Sequence, residues 1–303
     1  MKYHIIVNPL SGKGQGKKAL RAVETILVGK EIDYEVHLTE TPGHGTEIAR
    51  ELSKEPDTVI IALGGDGSCS EVLNGIENFE NVTLGFIPCG TGNDYAHAAG
   101  ISSDVSKAMK LILEGEVGYS DFLEVSGRRC LNVCGAGMDV DVLVRYASMK
   151  RFRGKIKYLA SLIDTLLHLR FHKIKLTKED GTEEEHSVFL VSLCNGRYIG
   201  GGMPISPNSE VCDGVMDVVV VNEIKPSKVL GLLIKFLNGG KHVNMPCTEV
   251  IRCKKACVEI LDEGKVQIDG EILEEKVLDC RIVSGKLKTF FPKPNKGENN
   301  AAS

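Results

Sequence analysis

Strand-like and helix-like segments alternate through roughly the first 120 residues, and no other feature limits the fold as much. "YHIIVN" is strand-like, and "GQGKKALRAVETILV" carries a helical period. "YEVHLT" and "HGTEIARELSK" repeat the pair, as do "DTVIIAL" and "SCSEVLNGI". "VTLGFIP" follows, with helical stretches near 92–99 and 104–114. A helix between two strands carries the chain back to the end where the first strand began, so successive strands lie parallel and the helices cover the sheet. "DTVIIAL" is apolar without alternation, as a strand buried on both faces should be. The pattern predicts a Rossmann-like α/β domain with a parallel sheet over residues 1–121.

After Asp121 the character changes. "FLEVSG", "RCLNVCG", "KIKLTKEDGTEEEHSVFLVSLCNG", "GVMDVVVVNEI", "TEVIRCKKACVEILDEG", "VQIDGEIL" and "DCRIVSGKLKTFF" are short and β-rich, with turn pairs such as Asp180-Gly181 and Glu263-Gly264 between them. Residues 122–286 read as an all-β, antiparallel β-sandwich-like domain, interrupted by helices at about 155–170 and 227–237. Residues 287–303 read as a C-terminal segment that returns to the first domain and ends in a disordered tail. A length of 303 residues suits two domains.

Charge and cysteine usage exclude several classes. The 37 basic and 41 acidic residues leave a net charge of −4, against a generic nucleic-acid binder. No apolar run reaches membrane-spanning length, and the apolar stretch before Asn8-Pro9 is too short for a secretory signal, so a cytoplasmic protein is expected. Ten cysteines include the pairs Cys130/Cys134 and Cys253/Cys257. Each pair falls in a strand-like run with its members on one face, and buried thiols are preferred to a zinc knuckle.

Three glycine-rich loops follow strands one, three and four. In "GGDGS" the glycines let the backbone turn tightly and approach a ligand, and the next helix offers free N–H groups to phosphate. A carboxylate beside phosphate is repelled unless a cation stands between them, so Asp66 is expected to act through Mg2+ or an ordered water. "NPLSGKGQGKK" has neither Walker A nor G-x-G-x-x-G spacing. In "IPCGTGNDYAHAAG", Gly90 and Gly92 bracket Thr91, and Asn93-Asp94 can open a helix. Loops at the carboxyl ends of parallel strands form the ligand crevice of open α/β sheets, where these three are expected to converge.

The second domain carries fewer signals. Gly200–Gly202 imply a sharp bend or a close approach. Asp213, before Gly214, is either a turn residue or a cation ligand aided by main-chain carbonyls. Asp269 and Glu271 in "VQIDGEIL" are either paired carboxylates sharing one strand face or the flanks of a hairpin turn at Asp269-Gly270. His168 and His172 read as a solvated basic helix end. Residues 150–175 hold eight Lys/Arg beside an apolar stripe of Ile156, Leu159, Leu162, Ile163, Leu166 and Leu167; this helix either packs on its own sheet or touches anionic lipid headgroups.

Taken in order, "NPLSGKG", "GGDGSCSEVLNGI", "IPCGTGNDYA", "LNVCGAGMDVDV", "GGGMPISPNSEVCDGVMDVVVV" and "VQIDGE" resemble the bacterial diacylglycerol-kinase-like lipid kinases, relatives of the sphingosine kinases. The resemblance runs from Asn8 to about Phe291. It implies catalysis in a cleft between the domains, with ATP as co-substrate, Mg2+, a lipid substrate, peripheral contact with anionic membrane and no nucleic-acid partner; a homodimer is left open. By that resemblance Asn8, Pro9, Ser11 and Gly12 line the ATP site, with Thr39 and Thr91. Gly64, Gly65, Asp66, Gly67, Ser68 and Ser70 complete it. Asp66, Asp94 and Asp121 would form a carboxylate and magnesium network, and Asp269 would be the general base with Glu271 in support. A structural magnesium would sit at Asp213, with main-chain oxygens of Glu210 and Val215. Tyr95-Ala96-His97 stands where Phe-Ala-Arg is usual, Ser68 replaces the usual Thr, and Glu210 a commoner non-acidic residue.

The function this implies is transfer of the ATP γ-phosphate to a lipid hydroxyl, foremost that of diacylglycerol. The alternatives are another lipid alcohol (a sphingoid base or phosphatidylglycerol), a NAD kinase-like enzyme, and a non-catalytic nucleotide- or lipid-binding protein.

Overall fold

A computed structural model describes residues 2–149 and 154–292. The chain divides into two compact units: residues 1–91, 100–120 and 285–303, and residues 92–99 and 121–284.

The elements of the first unit are β1 (Lys2–Val7), α1 (Ser11–Gly29), β2 (Tyr34–Leu38), α2 (His44–Leu52), β3 (Thr58–Gly64), α3 (Asp66–Gly75) and β4 (Val82–Pro88). The short α4 (Asp94–Ala98) groups with the second unit, and α5 (Val105–Glu114) with the first. The strands run parallel in the order β2-β1-β3-β4, with registers Ile5↔Val36, Ile5↔Ile61 and Ile61↔Gly85. β1 is followed in sequence by β2 on one side, yet has β3 on its other side. The strand order therefore reverses beside β1, which is the switch point where ligands bind in such sheets. Right-handed crossovers put α1 on one face and α2 and α3 on the other. Every residue of β3 is buried, as a central strand with both faces covered requires.

The second unit continues with β5 (Glu116–Val125), which crosses the boundary, then β6 (Arg128–Cys130), β7 (Val133–Gly137), α6 (Met138–Ser148), α7 (Gly154–Leu167), β8 (His172–Thr177), β9 (Glu183–Cys194), β10 (Tyr198–Ile199) and β11 (Met203–Pro204). β12 (Met216–Asn222), α8 (Pro226–Leu237), β13 (Thr248–Cys253), β14 (Lys255–Ile260), β15 (Val266–Ile268), β16 (Glu271–Leu273) and β17 (Val277–Phe291) complete the chain. Strand pairing within this unit is antiparallel. β12 shows how its two cores arise. Met216, Val218 and Val220 join the strand-lined core, while Val219 and Val221 face Val229, Leu232 and Phe236 of α8. With both faces covered, "MDVVVVN" has no need of polar alternation. The last residues of β17 belong to the first unit, where Lys288 and Thr289 pair in parallel with Thr83 and Leu84.

Two readings of the sequence are corrected, one open alternative is decided, and one helix is added. α6 was not anticipated: its Val/Asp alternation suits a strand, but Gly137 at φ 114 ends β7, and Asp139 and Asp141 then favour a helix N-terminus. The cysteine pairs do not share a strand, since Cys130 and Cys134 sit in β6 and β7, and Cys253 and Cys257 in β13 and β14. All ten cysteines are free. His172 is no solvated helix end; it is a buried residue of β8 between Asp141 and Asp262. Asp269 and Glu271 do not share a strand face. Asp269-Gly270, at φ 47 and 83, is the two-residue turn of the β15–β16 hairpin, closed by the pair Ile268↔Glu271. Of the basic cluster, Lys150, Arg151 and Arg153 lie outside the described residues, as does the tail after residue 292.

Candidate functional site

In the first unit the three glycine loops meet at the carboxyl ends of β1, β3 and β4. Gly12, Lys13 and Gly14 take left-handed backbone at φ 56, 59 and 92, so α1 becomes regular only from Gln15. A Cβ on Gly12 would run into the Cys89 carbonyl oxygen, and one on Gly64 into the Ser68 side chain, with Ser11 Oγ 3.5 Å away. Glycine thus allows the first and third loops to touch, and it lets the Ser11 and Ser68 hydroxyls gather over the end of β3. The Asn8 side chain accepts the Leu10 N–H at 3.0 Å, and Cys89 N donates to Gly64 O at 2.8 Å. Thr39 donates its N–H to Val7 O at 2.9 Å, tying the ends of β1 and β2. Asp66 opens α3 after Gly65, Thr91 is exposed, and no atom lies within 4 Å of a Cβ placed on Gly67. Free N–H groups at a helix start beside open space can receive phosphate.

In the second unit three carboxylates are each held by backbone N–H groups. Asp94 Oδ1 accepts from Gly201 N at 3.0 Å and Gly202 N at 2.7 Å. The glycine triplet, at φ 60, 87 and 102, is therefore a nest of amides already filled by an internal carboxylate. His97 stacks flat on Tyr198, with ring centroids 4.1 Å apart. Asp121 Oδ2 accepts from Gly214 N at 2.7 Å. Burial pushes its carboxyl pKa up, against the pull of that N–H and with the help of nearby Asp213. Asp269 is the most fully engaged. Oδ1 accepts from Cys130 Sγ at 3.1 Å and Asn132 N at 2.9 Å, and Oδ2 from Leu131 N at 2.8 Å. Burial raises its pKa and these donors oppose the rise. Glu271, across the turn, is exposed, with Arg128 at 3.8 Å.

Glu210, Asp213 and Val215 border one open surface space with Asn208 and Arg252. Carbonyl and carboxylate oxygens make a donor set suited to a hard cation. Arg252 already contacts Asp213 Oδ2 and lies 3.4 Å from Asp217 Oδ1.

An apolar cavity of about 210 Å³ lies in the second unit, lined by Val142, Leu162, Phe189, Met203, Leu233 and Phe236 among others. It reaches the surface at α8, whose lining residues Leu230, Ile234 and Leu237 are 68%, 58% and 62% exposed. Two polar side chains line it, and neither was singled out from the sequence. Asp139, its pKa pushed up to about 6 by burial, has a buried Oδ1 with no hydrogen-bond partner. His242, pushed down to about 4 by burial, bonds Ile205 O through Nε2 and leaves Nδ1 unpartnered. Asp139 stands just after a strand-ending glycine, and that is the only local signal it gives.

Residues 2–125 match the family model of the diacylglycerol kinase catalytic domain. Residues 132–291 match that of the YegS C-terminal NAD kinase beta sandwich-like domain. The chain is 30% identical to a diacylglycerol kinase of Bacillus subtilis (strain 168) over 272 residues, covering 88% of both sequences. It is 29% identical to a diacylglycerol kinase of Staphylococcus saprophyticus, covering 97% of this chain and 96% of that one. A crystal structure of a diacylglycerol kinase from Bacillus anthracis str. Sterne shares the fold, with a TM-score of 0.71 at 24% identity over 96% of each chain.

Proposed function

The chain belongs to the family of diacylglycerol kinases and YegS-like lipid kinases, and from that membership we propose that it transfers the γ-phosphoryl group of ATP to the free hydroxyl of diacylglycerol, giving phosphatidic acid. The observation that carries the lipid acceptor is the apolar cavity of the second unit, open at the exposed leucine and isoleucine side chains of α8. A soluble acceptor such as a dinucleotide gains nothing from such a surface.

Phosphoryl transfer asks the protein mainly for positioning and charge stabilisation. The loops at Asn8–Gly14 and Gly64–Ser68 and the start of α3 hold the nucleotide phosphates. Asp66 would hold Mg2+ there, and Asp213 with main-chain oxygens of Glu210 and Val215 would hold a second ion of structural role if Arg252 moves off Asp213. When bound, Mg2+ neutralises phosphate charge. As the new bond to phosphorus forms, the acceptor hydroxyl loses a proton. Both Asp269 oxygens already accept hydrogen bonds, so we assign the proton acceptor to exposed Glu271. Asp269 then fixes the Leu131–Val133 backbone, and Asp94 and Asp121 fix their glycine turns.

A second reading, a sphingoid base as acceptor, has one observation in its favour: the unpartnered Asp139 Oδ1 at the cavity would be satisfied by an ammonium group. Incubation with radiolabelled ATP and micelles of diacylglycerol, sphingosine or phosphatidylglycerol, with NAD as a soluble control, separates the readings. Label in phosphatidic acid is expected. Label in sphingosine phosphate favours the second reading, and label in NAD alone overturns both.

A further inference from the structure

We propose that His4, Glu35 and His37, in the sheet of the first unit, bind one divalent transition-metal ion of the zinc type. β1 and β2 pair in parallel with His4 opposite Glu35 and Ile6 opposite His37. Residues two apart share a face, so the register alone sets both imidazoles and the carboxylate on one side of two neighbouring strands. Their donor atoms close on a common point. His4 Nδ1 and His37 Nε2 are 3.0 Å apart. Glu35 Oε2 lies 3.6 Å from the first and Oε1 3.9 Å from the second.

The alternative is a hydrogen bond shared by two neutral imidazoles, with Glu35 as a bystander. Distances alone do not separate the two, because nitrogens bound tetrahedrally to zinc at ~2.05 Å stand about 3.3 Å apart. The rings need open by only about 0.3 Å. Two observations favour the ion. His4 is wholly buried, so packing holds the ring with Nδ1 toward His37 and Glu35. Lys2, 3.5 Å from Glu35 and 3.8 Å from Glu55, is exposed and stays at the rim. By contrast the cluster Glu184, His186 and Glu249 already holds the Lys178 ammonium, 2.8 Å from Glu184. Two imidazoles and one carboxylate select Zn2+, Co2+ or Ni2+ over Mg2+, which prefers all-oxygen shells.

The test uses the full chain stripped with chelator and kept in excess Mg2+. Co2+ is titrated and followed by visible absorption, and Zn2+ by calorimetry. One ion per chain is expected, with ligand-field bands and no thiolate charge-transfer band. His37→Gln and Glu35→Gln should each weaken binding at least tenfold, with unchanged far-UV circular dichroism, while His186→Gln binds like the parent. His37 is half-buried on an edge strand and Glu35 is exposed, so if one variant fails to fold the other still decides. Absence of binding, thiolate bands, or binding that both variants leave unchanged overturns the proposal.

Discussion

Single residues decide whether the loops are built for a ligand or only for themselves. Gly12 and Gly67 answer differently. A side chain on Gly12 meets the Cys89 carbonyl, and its φ of 56 is unfavourable for alanine. Gly12→Ala should therefore cost on the order of 2 kcal/mol or more in unfolding free energy, measured by urea denaturation. Gly67 has open space around it and sits in the first turn of α3. Gly67→Ala should leave stability unchanged or raise it by ~0.5 kcal/mol, yet raise the KM for ATP, because that space is where phosphate is proposed to lie. An unchanged KM would make Gly67 an ordinary helix residue. Asp269 and Glu271 form a second pair. Asp269→Ala should lower stability, since the Leu131 and Asn132 N–H groups lose their acceptor and an unsatisfied buried donor costs ~1–3 kcal/mol. Glu271→Gln should leave the fold intact and cut kcat by ~10²–10⁴-fold. If kcat falls only in the Asp269 variant, the roles are reversed. The sequence contained the correct clue to this pair: Asp-Gly is a strong hairpin signal. Strand alternation counted straight through it would put both carboxylates on one face, and of the two readings left open the hairpin is the one observed. No local signal shows that Asp94 bonds Gly201 and Gly202, because a partner 107 residues away leaves no mark on spacing.

At the level of elements, periodicity made the parallel strands and most helices legible. It failed at α6, where Val/Asp alternation imitates a strand and only the backbone at Gly137 shows otherwise. It also hid His172. This residue of β8 bonds Asp141 of α6 at 3.1 Å and Asp262 after β14 at 3.3 Å, and those carboxylates raise its pKa above the usual histidine value. A raised pKa in the folded state means that the imidazolium stabilises the fold. The contribution is complete below the unfolded value of about 6.5 and is lost as pH rises through the folded value. Urea unfolding at mildly acidic and mildly alkaline pH should show the parent's advantage over His172→Gln shrinking as pH rises; a constant difference would exclude the clamp. A second element-level prediction concerns α8. Its exposed Leu230, Ile234 and Leu237 share a face, and the exposed Lys225, Lys228 and Lys235 lie off that face, at the start and on the far flank of the same helix. We propose that this face, at the cavity mouth, touches anionic bilayer. Replacing the three apolar residues by serine should reduce co-sedimentation with phosphatidylglycerol vesicles, and equal co-sedimentation would place docking elsewhere. Among the described residues no helix is long and apolar enough to cross a membrane.

On the scale of the whole molecule, the first unit is completed by the other end of the chain. Leu287, Thr289 and Phe290 of β17 are buried there, and Thr289 Oγ1 donates to Leu84 O at 2.8 Å. A chain ending at Ser284 keeps every glycine loop, yet should lose nucleotide binding and unfold at lower urea. A chain ending at Pro292 is the control, and ATP binding by fluorescence titration is the readout. Undiminished binding by the shorter chain would show that the returning strand is dispensable. Its return also sets a schedule for synthesis. Thr289 follows Leu84 by 205 residues, which a ribosome adds in ~10–40 s at ~5–20 residues per second. Throughout that interval β4 emerges with its hydrogen-bonding edge bare, the kind of edge that recruits other strands. The nascent chain therefore depends on the second unit folding promptly or on a chaperone shielding β4, and a premature stop codon late in the message would damage the part of the protein that was made first.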